Sequence, residues 1–255
     1  MSVSDLLKAL DLPASSRVDQ RVPKKLLLEN GAPTAADKRL INDGIEELLW
    51  LAALKPTTIG VPAYRDDLRE YLEIAVLRLS LRAAAKAARL VELVHRAVPY
   101  PLLLLTEQAD HDARPGLSAA HKRWSQGEAG KTVLAGDVVA AEWDAERDAE
   151  RWPAFRDALA LGKQPRTTLH ALYQGWIDTL LAFQAARVTG TFVVVANAEH
   201  AAVRRDALQE CVRLDAEIAR LRATATKEKQ ISRRVELNLE LKRVKAAQAA
   251  ARANL

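Results

Sequence analysis

The sequence predicts an α+β fold: a body built on a mixed sheet of about five strands with packed helices, followed by a basic C-terminal helix or helical hairpin. Three observations predict it. A strand–helix–strand unit followed by a hairpin pattern occupies residues 71–143. Helical periodicity dominates from residue 167 onward. Charge is also unevenly spread: residues 204–255 carry 13 Lys/Arg against 7 Asp/Glu, a net of +6, whereas the preceding 203 residues carry 25 against 26. The expected division is an α+β body over residues 1–200 and a basic, coiled-coil-like arm over residues 201–255.

Taken in order, Ser4 has the character of an N-cap for a short helix through Leu10, which Pro13 ends. Residues 17–25 are basic and proline-marked. Thr34 and Asp37 have capping-box-like spacing and open a helix to about Leu48, with Leu40, Ile41, Ile45 and Leu48 as its apolar face. Residues 49–54 read as a strand that breaks at Lys55-Pro56. Residues 71–81 alternate Leu72, Ile74, Val76, Leu79 and Leu81 with Glu73, Arg78 and Ser80, a strand imperfect at Leu77. A helix over residues 83–98 carries Leu90, Val91, Val94 and Val98 on one face. Pro99 and Pro101 stop it before a buried strand at residues 102–105.

Residues 117–124 and 132–143 are two further strands around a polar turn at Gly127 and Gly130. Pro153 and Pro165 bracket a short helix. A longer one over residues 167–188 places Leu169, Leu172, Trp176, Leu180 and Phe183 inside, and Thr189-Gly190 ends it. The basic terminal helix begins near Ala201. Its first stripe (Cys211, Leu214, Ile218, Leu221, Ala225) meets Glu228 when extended, and a second (Leu237, Leu241, Val244) starts in another register. Either a phase slip or a hairpin turn accounts for the break. The hairpin is preferred, because two basic antiparallel helices then bury their stripes against each other.

Composition narrows the function classes. The longest uncharged apolar stretch, residues 98–106, is less than half the length of about 20 residues that spans a bilayer, so no membrane partner is expected. The first residues lack the pattern of a signal peptide, and the single Cys211 fits a reducing compartment, so the expected location is cytoplasmic. Cys211 lies on the apolar stripe and reads as packing. No glycine-rich phosphate loop and no nucleophile elbow is present. Histidines scattered at 95, 111, 121, 170 and 200 make a zinc site improbable, so no cofactor and no metal is expected.

Three groups of residues invite chemistry. His95 and Arg96, with Tyr100 between two prolines, sit where a helix enters a buried strand; they suit a cleft that grips an anion, or simply a capped helix end. His121, Lys122 and Arg123 beside Trp124 suit a nucleic-acid or partner contact strip, or a charged edge strand that resists aggregation. Asp66, Asp67, Glu73 and Lys86 are the candidates for a divalent-metal nuclease, but no Glu-x-Lys pair follows Glu73. The basic arm offers Arg220, Arg222, Lys227, Lys229, Arg233 and Arg234 to DNA or to a partner's acidic surface. A protein partner would take Leu237, Leu241 and Val244 into a groove. The acidic run at residues 142–150, flanked by Trp143 and Trp152, reads as a solvated loop or helix start.

Several runs also carry a family likeness: Val22-Pro23-Lys24-Lys25-Leu26, Leu54-Lys55-Pro56-Thr57-Thr58-Ile59, His95-Arg96-Ala97-Val98-Pro99-Tyr100-Pro101, Ala120-His121-Lys122-Arg123, Glu142-Trp143, and Glu228-Lys229-Gln230-Ile231-Ser232-Arg233-Arg234-Val235-Glu236-Leu237-Asn238. Over nearly its full length the chain resembles an uncharacterised bacterial family, a domain of unknown function found in restriction and phage-defence loci. The resemblance implies a gene beside a helicase and a DNA methyltransferase, and it brings no activity with it. The expectation is a non-enzymatic accessory subunit that docks on DNA, on a partner helicase or methyltransferase of the same locus, or on both, through the basic arm. The alternatives are a divergent nuclease whose His95, Arg96, His121 and Lys122 converge in one cleft, and a homodimeric structural protein joined through the terminal stripe.

Overall fold

The computed structural model describes residues 2–109, 114–195 and 197–255. Helix α1 (Val3–Ala9) is capped by Ser2 rather than Ser4: the Ser2 hydroxyl accepts from the Asp5 N–H while the Asp5 carboxylate accepts from the Ser2 N–H at 2.8 Å. Strand β1 (Arg17–Arg21), helix α2 (Lys24–Asn30) and helix α3 (Ala35–Gly44) follow. Thr34 caps α3 through the Asp37 N–H as expected, but the helix stops at Gly44 and the chain continues as β2 (Ile45–Leu54). The reason lies in a β-bulge between Ile45 and Glu47. An extra residue there lets Ile45 and Leu48, three apart, both face the core, which imitates a helical period.

Next come α4 (Pro56–Ile59), the short strands β3 (Tyr64–Arg65) and β4 (Glu70–Tyr71), and β5 (Ile74–Leu81). The strand expected over residues 71–81 thus loses its first three residues, and Leu72 is exposed. Helix α5 (Ala87–Ala97) begins four residues later than expected and leads into β6 (Leu102–Gln108). Strands β7 (Gly116–Ala119), β8 (Lys122–Trp124), β9 (Thr132–Leu134) and β10 (Val139–Glu142) replace the two long strands expected over residues 117–124 and 132–143. Helices α6 (Trp152–Leu159), α7 (Leu169–Thr189), α8 (Ala198–Lys227) and α9 (Ile231–Arg252) complete the chain.

The main sheet is mixed and has six strands, in the order β1-β2-β5-β6-β7-β10. Only β5 and β6 are parallel, joined through α5; the other neighbours are antiparallel. Leu102, Leu103, Leu104 and Leu105 are all fully buried, as befits a central strand covered on both faces. On one face, Leu27 of α2, Ile41 of α3 and Leu90, Leu93 and Val94 of α5 pack with Leu48, Leu77, Leu79 and Leu104. Each such side chain contributes about 2 kcal/mol of burial. Strands β8 and β9 form a separate ribbon, as do β3 and β4.

Two compact units are distinguishable, Met1–Leu180 and Leu181–Leu255. In the second, a three-residue connection over residues 228–230 turns α8 into α9, making a helical hairpin. Leu214, Ile218 and Leu221 of α8 meet Val244, Leu237, Leu241 and Ala251 of α9, and Cys211 is buried on the same stripe. The Asp215 carboxylate accepts from the Gln248 amide, a polar tie between the two helices. No helix among the described residues is long and apolar enough to cross a membrane.

Candidate functional site

In the first unit, the residues expected to converge in one cleft are sorted into three surroundings. The first is interior. His95, in the last turn of α5, is fully buried and its Nε2 lies 2.9 Å from the Ser118 hydroxyl of β7. His95 Nδ1 has no protein partner among the described residues. Lys122, only 1% exposed, points inward from β8 and donates from Nζ to the His95 carbonyl, one of the orphan acceptors at the end of α5. Lys122 therefore sits in the core and not on a contact strip. Burial pulls the Lys122 ammonium down to about 8. Burial, and then the Lys122 charge, pulls His95 down to about 3.

The His95 shift carries a sign. Above the ordinary histidine value the ring is neutral folded and unfolded, and there is no effect. Below it the unfolded chain takes up a proton that the folded one resists, so stability falls as pH falls toward 3. Between pH 6.5 and pH 5 the loss is about 2 kcal/mol. Urea midpoints at the two pH values check this, and His95→Gln, which keeps a partner for Ser118, is expected to flatten the dependence.

His121 belongs to the second surrounding, a half-buried cluster that the sequence reading did not find. It lies between β7 and β8, where its Nδ1 is 2.5 Å from the Tyr71 hydroxyl and its Nε2 is 2.7 Å from Oε1 of Gln174. Because Oε1 only accepts, Nε2 carries a proton and donates to it, while Nδ1 shares its hydrogen bond with the Tyr71 hydroxyl. Its ring stacks on His170 with centroids 5.0 Å apart, and His170 stacks on Tyr64 at 4.9 Å. Arg69 Nη1 donates to His170 Nε2 at 3.2 Å. Burial and the Arg69 charge hold His170 below its usual value. Asp66, offered above as a metal ligand, instead accepts from the Tyr64 hydroxyl and from the Leu68 and Arg69 N–H groups. These contacts lower its carboxyl. Both His121 nitrogens are committed, so the cluster orders the β3–β4 turn against α7 and leaves little for acid–base work. The aromatic residues at 64, 71 and 173 were visible in sequence, but only the fold joins them to His121 and His170.

Arg96 and Arg123 form the third. They line a groove of about 870 Å³ with Lys131, facing Glu29, Glu92 and Asp137. Arg96 pairs with Glu92 at 2.5 Å. Three cations against three carboxylates give no excess charge to hold a polyanion. Tyr100 is exposed beyond the end of α5. Glu73 is buried with Lys55 at 3.1 Å, while Asp67 and Lys86 are exposed. Among the described residues no group of three or more His, Cys, Asp or Glu is placed to hold a metal ion; His111 lies outside them.

The second unit concentrates its charge. Residues 220–234 hold Arg220, Arg222, Lys227, Lys229, Arg233 and Arg234 against the single Glu228, a net of +5. The hairpin places this stretch at its turn, and all six cations are exposed. The rest of residues 204–255 contributes only +1. Arg220 approaches Glu217 at 4.0 Å and Arg233 approaches Glu228 at 3.8 Å, both weak, solvent-screened pairs. Helix α9 starts here without a side-chain cap and without an acidic residue in its first turn, which holds Arg233 and Arg234 instead. Cations beside the positive end of a helix dipole oppose helix formation. The stripe of Leu237, Leu241 and Val244, expected to enter a partner's groove, is taken up within the hairpin.

Residues 10–247 match the family described as Domain of unknown function (DUF4391), and the chain belongs to that family. Neither the curated proteins nor the solved structures hold a match to it.

Proposed function

We propose that this member of the DUF4391 family is a non-enzymatic accessory subunit of a bacterial restriction-modification or phage-defence system, anchored on DNA by the apex of its helical hairpin beside a partner helicase or methyltransferase. The observation that carries this reading is the net of +5 over residues 220–234 at the turn, on a chain whose remaining residues sum to no net charge. A cluster of that density attracts a polyanion and is neutralised by it. The unfavourable charge at the start of α9 supports the same reading, because a phosphate there replaces a local conflict with a favourable contact. The α+β unit would serve as a rigid platform, and the C-terminal helices would make the contacts to DNA and to the neighbouring enzyme.

Duplex DNA is the test ligand. Retention is expected to fall with salt at a log–log slope of about −4.5 to −5.4, corresponding to five or six neutralised phosphates. Arg233→Glu with Arg234→Glu is expected to weaken retention about 100-fold at moderate salt and to reduce the slope by about 2. Retention that ignores salt and both substitutions would remove the apex from the reading.

A further inference from the structure

The hairpin exposes a second feature that DNA binding does not use. Ile231, Val235 and Leu239 stand four residues apart on α9, at 70%, 53% and 57% exposure. At about 100° per residue they form a short stripe roughly opposite the inner face of Leu237, Leu241 and Val244. Lys242 continues that stripe, with Arg234 and Lys245 along one border and Arg243 along the other. Three aliphatic side chains at i, i+4 and i+8 on an otherwise solvated helix are anchors of the kind that seat a helix in an apolar groove. Phosphates have no use for them.

We propose that this outward face of α9 is a protein-docking surface, fitted to a partner protein that offers an apolar helix-binding groove rimmed by Asp and Glu. The inference rests on the accessory-subunit reading and gives its protein partner a surface. Charge decides among the occupants. A second copy of this chain is disfavoured: a two-fold axis at Val235 would bring the two Ile231 residues within about 15 Å, setting two +5 apices less than about two Debye lengths apart. An anionic membrane matches the charge, but three aliphatic residues with no aromatic among them give a thin apolar face for bilayer insertion. An acidic-rimmed groove satisfies both the stripe and its cationic border.

The full-length protein carrying a photo-crosslinking residue at Val235, with a control at inward-facing Leu237, is irradiated in the native host after nuclease treatment. The captured chain is identified, its crosslinked peptide is mapped, and the recombinant partner is titrated with wild-type protein, Val235→Asp and Leu239→Asp. Expected are a crosslink at 235 to a carboxylate-rich apolar surface of another protein, and a loss of affinity of about thirtyfold for each aspartate variant. Both positions are exposed, so the variants are expected to keep the wild-type melting curve. A crosslink only to a second copy, a partner titration that ignores both aspartates, or binding only to phosphatidylglycerol vesicles would each overturn the proposal. Loss of DNA retention in the Arg233/Arg234 double variant reports on the apex separately, so either reading can fail while the other stands.

Discussion

Tyr173→Phe is expected to cost about 3–4 kcal/mol of stability, although it removes a single oxygen. Tyr173 is fully buried on α7, and its hydroxyl sits between the start of β6 and the end of β7. It accepts from the Ala120 N–H at 2.8 Å and the Leu102 N–H at 3.2 Å, and donates to the Leu102 carbonyl at 2.8 Å. The β6–β7 register pairs Leu104 with Ser118, so Leu102 and Ala120 would be the next bonded pair. The hydroxyl occupies the place of that rung. Phenylalanine leaves two N–H groups and a carbonyl buried without partners, each costing about 1–3 kcal/mol before relaxation. Urea denaturation gives the magnitude, and faster amide exchange at Leu102 and Ala120 identifies the cause. A loss below about 1 kcal/mol would mean that the strands close on each other once the hydroxyl is gone.

Lys122→Met should move stability the other way. The lysine is charged in the unfolded chain below its ordinary value of 10.5, and in the folded protein below about 8. Below pH 8 both states are charged, and the cost of holding an ammonium in the core is complete, about 3 kcal/mol. Between pH 8 and 10.5 the folded lysine sheds its proton before the unfolded one does, and the cost disappears. Methionine fills a similar volume without the charge but gives up the bond to the His95 carbonyl, worth about 1–2 kcal/mol. The variant is therefore expected to be about 1–2 kcal/mol more stable at pH 7, with the advantage gone by pH 10.5. Denaturant midpoints of both proteins at pH 7, 9 and 10.5 check it. A variant less stable at pH 7 would show that the carbonyl bond outweighs the buried charge.

Much of the fold was legible in local pattern. The apolar alternation after Tyr71, the Pro99 and Pro101 stop, the inward face of α7 and the register break before Leu237 all correspond to observed elements. The misreadings have long-range causes. Ile45 and Leu48 looked helical because a bulge set by pairing with β5 changes the strand period. Residues 117–124 looked like one strand because nothing nearby announces that Tyr173, more than fifty residues on, enters the ladder at Ala120. The same wedge separates His121 from the sheet and sends Lys122 inward to His95. Charge along the arm was plain in sequence, but its concentration at a turn, and the exposure of Ile231, Val235 and Leu239, needed the hairpin.

The hairpin's three-residue connection also bears on how the chain comes to be folded. Partners across α8 and α9 lie close in sequence near the turn, so zipping from residues 228–230 closes only short loops at each step, a route available on the microsecond scale. The sheet has no such route. Strand β5 must find β6 across a helical crossover, and β10 must find β7 across an intervening ribbon. Those closures are non-local and slower by comparison. During synthesis the sheet-forming residues emerge before the hairpin, so the slow part has a head start over the fast one.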